Sequence, residues 1–262
     1  MARVCYFLSL LILVSSCTSF VLPLKNSKAK KLEENSFTPL SIDDYSDYLF
    51  SLKKSFMETP GIKAKAVQGP SKVYLQNLLK EILMNNEIFF KRLKSAEVTI
   101  IESEFPLHFS LSKGEIFLST GLISKYIKHE SILVSVLSYE LVRSEKLVYP
   151  KGTFLPTGTL SLEKMLYLGK INIEEKMEVH KWAHHITVRS GFDGEYYLSW
   201  LQTQNRNTAD FFIQVGDVNQ INKEESLFKA FLIKSTDDNI ITKANSSKNF
   251  YTFLNRIRDG II

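Results

Sequence analysis

The clearest hydrophobic pattern in the chain lies between Lys128 and Lys146, where apolar and polar residues recur with a helical period. Apolar residues spaced three and four apart fall on one face of an α-helix. Here they are Ile132, Leu133, Val136, Leu137, Leu141 and Val142. The pattern predicts a central amphipathic helix with one buried stripe.

Two helices and a small sheet are predicted before this central helix. Ser41, followed by two aspartates, is typical of a helix start and predicts a helix through Phe56. Ser71 predicts the start of a longer helix that reaches about Leu93. Alternating and β-branched runs predict three consecutive strands at residues 98–102, 107–111 and 115–119. The expected fold class is therefore α+β, mostly helical, with a small antiparallel β meander beside the central helix.

The chain behind the central helix is predicted to be mainly helical. A connection with Pro150, Gly152, Pro156 and Gly158 comes first. Helices are then predicted at residues 162–168, 173–190, 196–202, 223–233 and 249–258, with a strand at 211–215. Gly191 is expected to end the second of these helices.

The N-terminal residues have a different composition. Arg3 precedes an apolar run from Val4 to Val14, which is typical of a signal peptide and too short for a mature spanning helix. The run ends in V-S-S-C, which resembles a bacterial lipobox and would make Cys17 the lipidated first residue. An ordinary cleaved signal or an uncleaved anchor are the alternatives. We expect residues 1–16 as a lipoprotein signal peptide, 17–40 as a lipidated tether and 41–262 as one domain.

Cysteine content and charge agree with this organisation. Cys5 and Cys17 are the only two cysteines, so the mature domain would hold no internal disulfide. The net charge of +5 is spread out, apart from the lysine-rich residues 24–31. These lysines would lie near anionic lipid headgroups or form a solvated tether. No basic stripe interleaved with aromatics is present, which argues against nucleic acid as a partner.

The central helix carries the sequence Y-E-L-V-R, in which Tyr139, Glu140 and Arg143 take the positions of an H-E-x-x-H motif. In that motif two histidines at i and i+4 bind one zinc ion and the glutamate acts as general base. The run from Gly114 to Arg143 resembles the M forty-eight metallopeptidases, which include CAAX prenyl proteases and periplasmic quality-control proteases. The residues that match are Gly114, Ile116, Leu118, Thr120, Gly121, Leu122, Leu133, Val136, Leu137 and Glu140.

A second block supports the resemblance, which covers about residues 71–205. The family's third ligand is the first glutamate of E-x-E-A-D, and a G-F-D turn begins eleven residues after that aspartate. The chain reads KMEVHKWAHHITVRSGFD, with Gly191 eleven residues after His180. By this alignment Lys176 stands at the ligand position, Glu178 at the second glutamate and His180 at the aspartate.

The resemblance implies a zinc peptidase, but the residues present are poor zinc ligands. A catalytic zinc needs three protein ligands with lone pairs. Arg143 has none to offer, and Tyr139 and Lys176 would have to lose protons whose ordinary pKa values are near 10. Without metal, making hydroxide from water costs about 12 kcal/mol more than at a zinc site. We therefore expect no metal, no cofactor and no catalytic residue, with Glu140 as a vestigial general-base position.

Charge suggests what replaces the ion. Glu140 lies three residues before Arg143 on one helix, and the fold would bring Lys176 to the same cavity. The hypothesis is that both cations fill the space of the metal and hold Glu140. The alternative is that these side chains face solvent.

Other polar residues offer weaker candidates. His180 and His184, with Glu178 and His185, form a rival metal cluster with helical spacing. His108 and His129 are isolated and receive no role. Glu130 and Glu145 are expected to be caps or solvated charges. No nucleophile elbow or phosphate-binding loop is present.

The function expected from the sequence is a non-catalytic pseudopeptidase that binds extended peptides or envelope proteins. Residues 107–112 correspond to the family's substrate-pairing edge strand, and a free edge beside an apolar cleft would favour this reading. The alternatives are an active zinc metalloendopeptidase with other ligands, such as the His180 cluster, and a structural envelope lipoprotein. Thr18 after the lipidated cysteine resembles lipoproteins of the outer membrane, so the expected location is the bacterial envelope.

Overall fold

The computed structural model describes residues 41–150, 159–215, 217–235, 243 and 245–261. The predicted signal peptide, tether and Cys17 lie outside these residues, as do Gly152, Pro156 and Gly158 of the connection behind the central helix. Within the described chain, no helix has the length and apolar character needed to cross a membrane.

The described domain is mostly helical, with one four-stranded sheet. The helices are α1 (Ile42–Met57), α2 (Gly69–Asn85), α3 (Glu130–Lys146), α4 (Leu162–Tyr167), α5 (Ile173–Arg189), α6 (Glu195–Arg206), α7 (Thr208–Val215), α8 (Val218–Lys234) and α9 (Lys248–Arg258). The strands are β1 (Ala64–Ala66), β2 (Glu97–Ile101), β3 (His108–Ser110) and β4 (Glu115–Ser119). A π-helical turn, Leu122–Tyr126, joins β4 to α3. The predicted α+β class is confirmed.

The sheet is mixed, so the predicted antiparallel meander is wrong in its topology. The strand order is β1-β2-β4-β3, and β2 pairs parallel with β4, with Val98 opposite Ile116. Only β1 with β2 and β3 with β4 pair antiparallel. The chain reverses direction between β2 and β3 and again between β3 and β4, so β2 and β4 run in the same direction. In the sheet, β4 lies between β2 and β3. The three-residue strand β1 was not predicted.

The sheet is covered on both faces. Alternate residues of a strand point to opposite sides. Phe117 and Phe109 face α1, where both rings pack edge-on against Phe56 at centroid distances of 5.6 and 5.7 Å. Ile116 and Leu118 face the other way and belong to the larger core with α2, α3 and α5. Because both faces are buried, every residue of β4 is inaccessible to solvent.

The central helix α3 is buried on all sides and not along one stripe. Every residue from Glu130 to Glu145 is buried. The predicted apolar stripe is buried as expected. The opposite, more polar side of α3 is buried as well, and α5 packs against the helix, so no face of α3 is exposed to solvent. The helix therefore carries Glu140, Arg143 and Glu145 into the interior, where each needs a partner.

Several predicted boundaries need correction. Helix α1 begins as expected, since the Ser41 hydroxyl accepts a hydrogen bond from the Asp44 N–H. Helix α2 begins at Gly69, with a proline in its first turn, and ends at Asn85. Ser71 is therefore inside this helix, and Leu93 lies beyond it. The strand predicted at residues 211–215 is helix α7, in which Phe211 and Val215, four residues apart, are the buried positions.

Candidate functional site

The three positions that correspond to metal ligands converge in the structure. Tyr139 and Arg143 project from α3 and Lys176 from α5 into one buried cavity of about 30 Å³. A cavity of this size holds about one water molecule. The other residues that line it are His108, Gly169, His180, Trp200, Gln204, Gln214, Val215 and Glu224.

Glu140 is completely buried and both of its carboxylate oxygens are engaged. Arg143 Nη1 lies 3.0 Å from Oε2, the Ser110 hydroxyl donates to Oε2 at 2.7 Å, and His108 Nδ1 lies 2.6 Å from Oε1. Burial would raise the pKa of Glu140, but Arg143, His108 and Ser110 outweigh it and lower the pKa to about 2. Glu140 is therefore a carboxylate held by protein donors.

Arg143 joins α3 to the segment behind it. Its Nη2 donates to the Leu168 carbonyl at the end of α4 at 2.7 Å, and the guanidinium lies 5.2 Å from the centre of the Tyr149 ring. Burial would lower the pKa of Arg143, but the adjacent Glu140 raises it. The guanidinium thus stays charged, as the hypothesised internal pair requires, and does not face solvent.

Lys176 has a different partner from the one hypothesised. Its Nζ donates to Glu224 Oε1 at 2.7 Å, and Glu224 Oε2 lies 3.3 Å from His180 Nε2. The idea that both cations hold Glu140 is therefore wrong for Lys176. Glu224 comes from α8, outside the region of resemblance, and supplies a second acid. Burial would raise the pKa of Glu224, but His180 and Lys176 lower it.

His180 lies between α8 and α6, where its two ring nitrogens face Glu224 and Tyr197. Its Nδ1 lies 2.9 Å from the Tyr197 hydroxyl, and burial lowers the pKa of the ring despite the neighbouring Glu224. Tyr139 lies between two histidines, with its ring centre 4.8 Å from that of His180 and 6.0 Å from that of His108. Burial raises the pKa of Tyr139 far above its ordinary value, so the side chain is a neutral phenol.

The rival metal cluster does not assemble. Glu178 is exposed and pairs with Lys181, His185 is exposed, and His184 is buried among Tyr197 and Phe228. Within the described ranges no group of three or more histidine, cysteine or acidic side chains is arranged to hold a metal ion.

His108 was given no role from the sequence, yet it contacts the carboxylate of Glu140. The signal was present, because His108 and Ser110 are two residues apart on β3 and so share the face that meets α3. His129 also has a local role: its Nδ1 accepts from the Ser131 N–H at the start of α3, and its ring stacks on Tyr196.

The expectation that Glu130 and Glu145 are solvated charges is wrong, because both are buried. Glu145 accepts hydrogen bonds from three consecutive backbone N–H groups, those of residues 91–93. Glu130 accepts from the Tyr74 hydroxyl and from both the backbone N–H and the hydroxyl of Ser247. These carboxylates fasten α3 to its neighbours.

The edge of β3 is closed, contrary to the free edge that peptide pairing would need. Strand β3 is outermost in the sheet, but all three of its residues are buried. The His108 N–H donates to Gln214 Oε1 at 3.1 Å, and Gln214 Nε2 donates to the His108 carbonyl at 2.6 Å. The side-chain amide of Gln214, on α7, is thus hydrogen-bonded to both main-chain groups of His108 at the edge of the sheet.

An apolar groove of about 1250 Å³ lies on another side of the domain, among α1, α5, α8 and the end of α3. Trp182 and Leu227 in its wall are 46% and 39% exposed. The groove and the buried cavity share no lining residue. The apolar groove is therefore separate from the cavity that holds Tyr139, Arg143 and Lys176, and no residue of β3 lines the groove.

The fold and the site define an α+β domain with a buried, internally neutralised charge cluster. No family model matches the chain, and no curated protein matches it significantly.

Proposed function

We propose that the protein is a metallopeptidase-like pseudopeptidase, anchored through a lipid on Cys17 in the bacterial envelope, most simply at the outer membrane. It binds extended peptides or envelope proteins without cleaving them. The observation that carries the proposal is the complete burial of Glu140, with Arg143, His108 and Ser110 on its carboxylate. A general base needs a free oxygen for a water molecule, and this one has none.

Charge and space both argue against a metal ion at this position. The positive charge of Arg143 lies beside the Glu140 carboxylate, and this charge would repel a divalent cation at the same place. The cavity of about 30 Å³ has room for about one water, whereas catalysis needs a metal, a water and a substrate carbonyl. A zinc ion in this cavity would have to displace Arg143 and Lys176. This would leave Glu140 and Glu224 without their counter-charges.

The convergence of Tyr139, Arg143 and Lys176 supports the family resemblance behind the proposal. Lys176 is more than thirty residues further along the chain than Tyr139 and Arg143, and the motif alignment alone predicts that it joins them. Their meeting in one cavity is what a common ancestor with a zinc site would leave. The residues then changed type while the scaffold stayed.

Binding would use the surfaces that a peptidase scaffold keeps. Strand β3 is at the sheet edge, where an extended peptide pairs through main-chain hydrogen bonds. The apolar groove offers a second contact area of suitable size for side chains of a partner. Extended polypeptide is therefore the ligand class that we propose.

The test uses the full-length protein in detergent with fluorescein-labelled reduced casein as an unfolded probe. We expect saturable binding and no casein fragments after prolonged incubation with added zinc. Fragments that disappear in the variant Glu140→Gln would contradict the proposal and favour the active zinc endopeptidase. Fragments that persist in this variant would come from a contaminating protease.

A structural envelope lipoprotein is the second candidate, and the closed edge of β3 favours it. In that case the ion pairs serve stability alone and casein does not bind. The binding measurement separates the two functions.

A further inference from the structure

The Gln214 side chain makes the same pair of hydrogen bonds with His108 that a residue of a neighbouring strand would make. In an antiparallel pair, two opposite residues exchange both N–H···O=C bonds. Gln214 accepts from the His108 N–H at 3.1 Å and donates to the His108 carbonyl at 2.6 Å. A primary carboxamide has the donor and the acceptor of one peptide unit, so it can replace one.

The sheet geometry places this contact on the open side of β3. The Ser119 N–H donates to the Leu107 carbonyl, and the Leu111 N–H donates to the Glu115 carbonyl. Since main-chain groups of successive residues point to opposite sides of a strand, those of His108 point away from β4. They would be unpaired without Gln214.

Helix α7 holds Gln214 in this position. Phe211 is completely buried, with its ring 4.9 Å from that of Tyr126 and 5.4 Å from that of Trp200. Asp210 is hydrogen-bonded to the Tyr126 hydroxyl. Gln214 and Val215, one turn further on, also form part of the wall of the buried cavity.

We propose that Gln214 is an internal plug: it takes the place of one residue of an extended polypeptide on β3, and a partner chain binds by displacing it. This inference rests on the proposed peptide-binding function and adds how the binding edge is kept closed. The exchange conserves hydrogen bonds, because the partner residue restores both bonds to His108. The partner then gains the contacts of its remaining residues.

The plug also ties the edge to the charge cluster. His108 is held by Gln214 at its main chain and by Glu140 at its ring. A chain that pairs with His108 therefore meets a strand already fixed on α3. The plug keeps the edge strand from pairing with the edge of another molecule when no partner is present.

The first measurement tests the plug without any ligand. In the full-length protein, Gln214→Ala removes both bonds, and we expect hydrogen exchange of the peptide covering β3 to rise about tenfold. Gln202→Ala removes the same amide from the neighbouring helix α6 and serves as the control, with exchange at β3 unchanged. A single cooperative thermal transition in both variants verifies that the domain remains folded.

The second measurement tests the ligand. Labelled reduced casein is expected to bind Gln214→Ala about tenfold more tightly than the native protein, and Gln202→Ala no differently from it. Gln214→Glu keeps the acceptor and loses the donor, so its affinity should lie between the two.

The outcomes separate the plug from the proposed function. Exchange at β3 that does not change in Gln214→Ala overturns the plug, while casein binding to the native protein would still support the proposed function. Faster exchange with no casein binding to any variant overturns the proposed function and, with it, the peptide as the displacing ligand. Faster exchange together with tighter binding supports both.

Discussion

At the scale of single residues, two buried glutamates are each neutralised by a cationic side chain. Arg143 holds Glu140 and Lys176 holds Glu224, with distances of 3.0 and 2.7 Å. Each pair has a histidine on the other carboxylate oxygen, His108 in one case and His180 in the other. The cluster is therefore two similar units side by side, and removal of any cation leaves an acid without its counter-charge.

Replacing Arg143 with alanine tests the first unit. Breaking a buried pair strands the partner charge, so we expect Arg143→Ala to reduce the free energy of unfolding by about 3–5 kcal/mol. Urea denaturation measures it. Arg92→Ala is the matched control, because Arg92 makes an exposed pair with Asp43 and should cost well under about 1 kcal/mol. Equal effects of the two substitutions would mean that Glu140 does not depend on Arg143.

His180 predicts how stability depends on pH. Its pKa in the folded protein is lowered, first by burial, so the unfolded chain takes up the proton at a higher pH than the folded one. Stability is then complete above the ordinary histidine pKa of about 6.5 and is lost as pH falls below it. Lys176 and Glu224 flank the ring, together with the hydroxyl of Tyr197.

The measurement is the unfolding free energy between pH 7.5 and 5.5 (about neutral to mildly acidic). We expect the native protein to lose stability over this range and His180→Gln to lose less. His185→Gln changes an exposed histidine on the same helix and should leave the slope as in the native protein. A steeper loss in His180→Gln than in the native protein would contradict the assignment.

The sequence predicts the Glu140–Arg143 pair but not the contacts of Glu224 and Gln214. The spacing of Tyr139, Glu140 and Arg143 predicted the first pair because it depends only on helix geometry. Glu224 and Gln214 could not be found, since their contacts come from α7 and α8 packing back across a sequence distance that no local pattern encodes.

At the scale of elements, a glycine allows the chain that leaves β4 to pass close to the loop that follows β2. A Cβ atom at Gly121 would lie 2.2 Å from the Glu104 carbonyl oxygen, which is backbone and cannot rotate away. The Gly121 N–H also donates to the Ser103 carbonyl at 2.7 Å. Close packing against residues 103 and 104 is therefore enough to explain the glycine of the T-G-L sequence.

Gly121→Ala should therefore destabilise the domain by about 1–3 kcal/mol through overpacking. Thermal unfolding and urea denaturation both report it. Lys72→Ala, at an exposed position of α2, is the control and should change little. A Gly121→Ala variant as stable as the native protein would contradict the close packing of Gly121 against the Glu104 carbonyl.

The elements show which patterns suffice for prediction. Helices α1, α3 and α5 follow from caps and period because their ends are satisfied by local side chains such as Ser41 and Asn172. The pattern of residues 211–215 wrongly predicts a strand, because five residues are too few to distinguish a helical period from a strand period. In helix α7 the buried positions are Phe211 and Val215. The parallel pairing of β2 and β4 is non-local.

At the scale of the whole molecule, we propose that the domain is held at a membrane by Cys17 and presents to partners the apolar groove and, once Gln214 is displaced, the edge of β3. Its fold needs no disulfide, because the chain has only Cys5 and Cys17. The stability of the domain comes from packing on both faces of the sheet and around α3.

The lipid anchor is tested by Cys17→Ser in a bacterial host grown with labelled palmitate. We expect the label to be lost, because the lipid would be attached through the thiol of Cys17 alone. Cys5→Ser is the internal control, since Cys5 lies within the predicted signal peptide and should leave labelling intact. Labelling that survives Cys17→Ser would contradict the lipobox assignment.

The central claim is that Arg143 and Lys176 occupy the place of a metal, and zinc analysis tests it most directly. The full-length protein would be purified without chelator, equilibrated with zinc, desalted and measured by elemental analysis, with Arg143→Ala alongside. The account predicts substoichiometric zinc in the native protein. One tightly held zinc per chain in the native protein would contradict it.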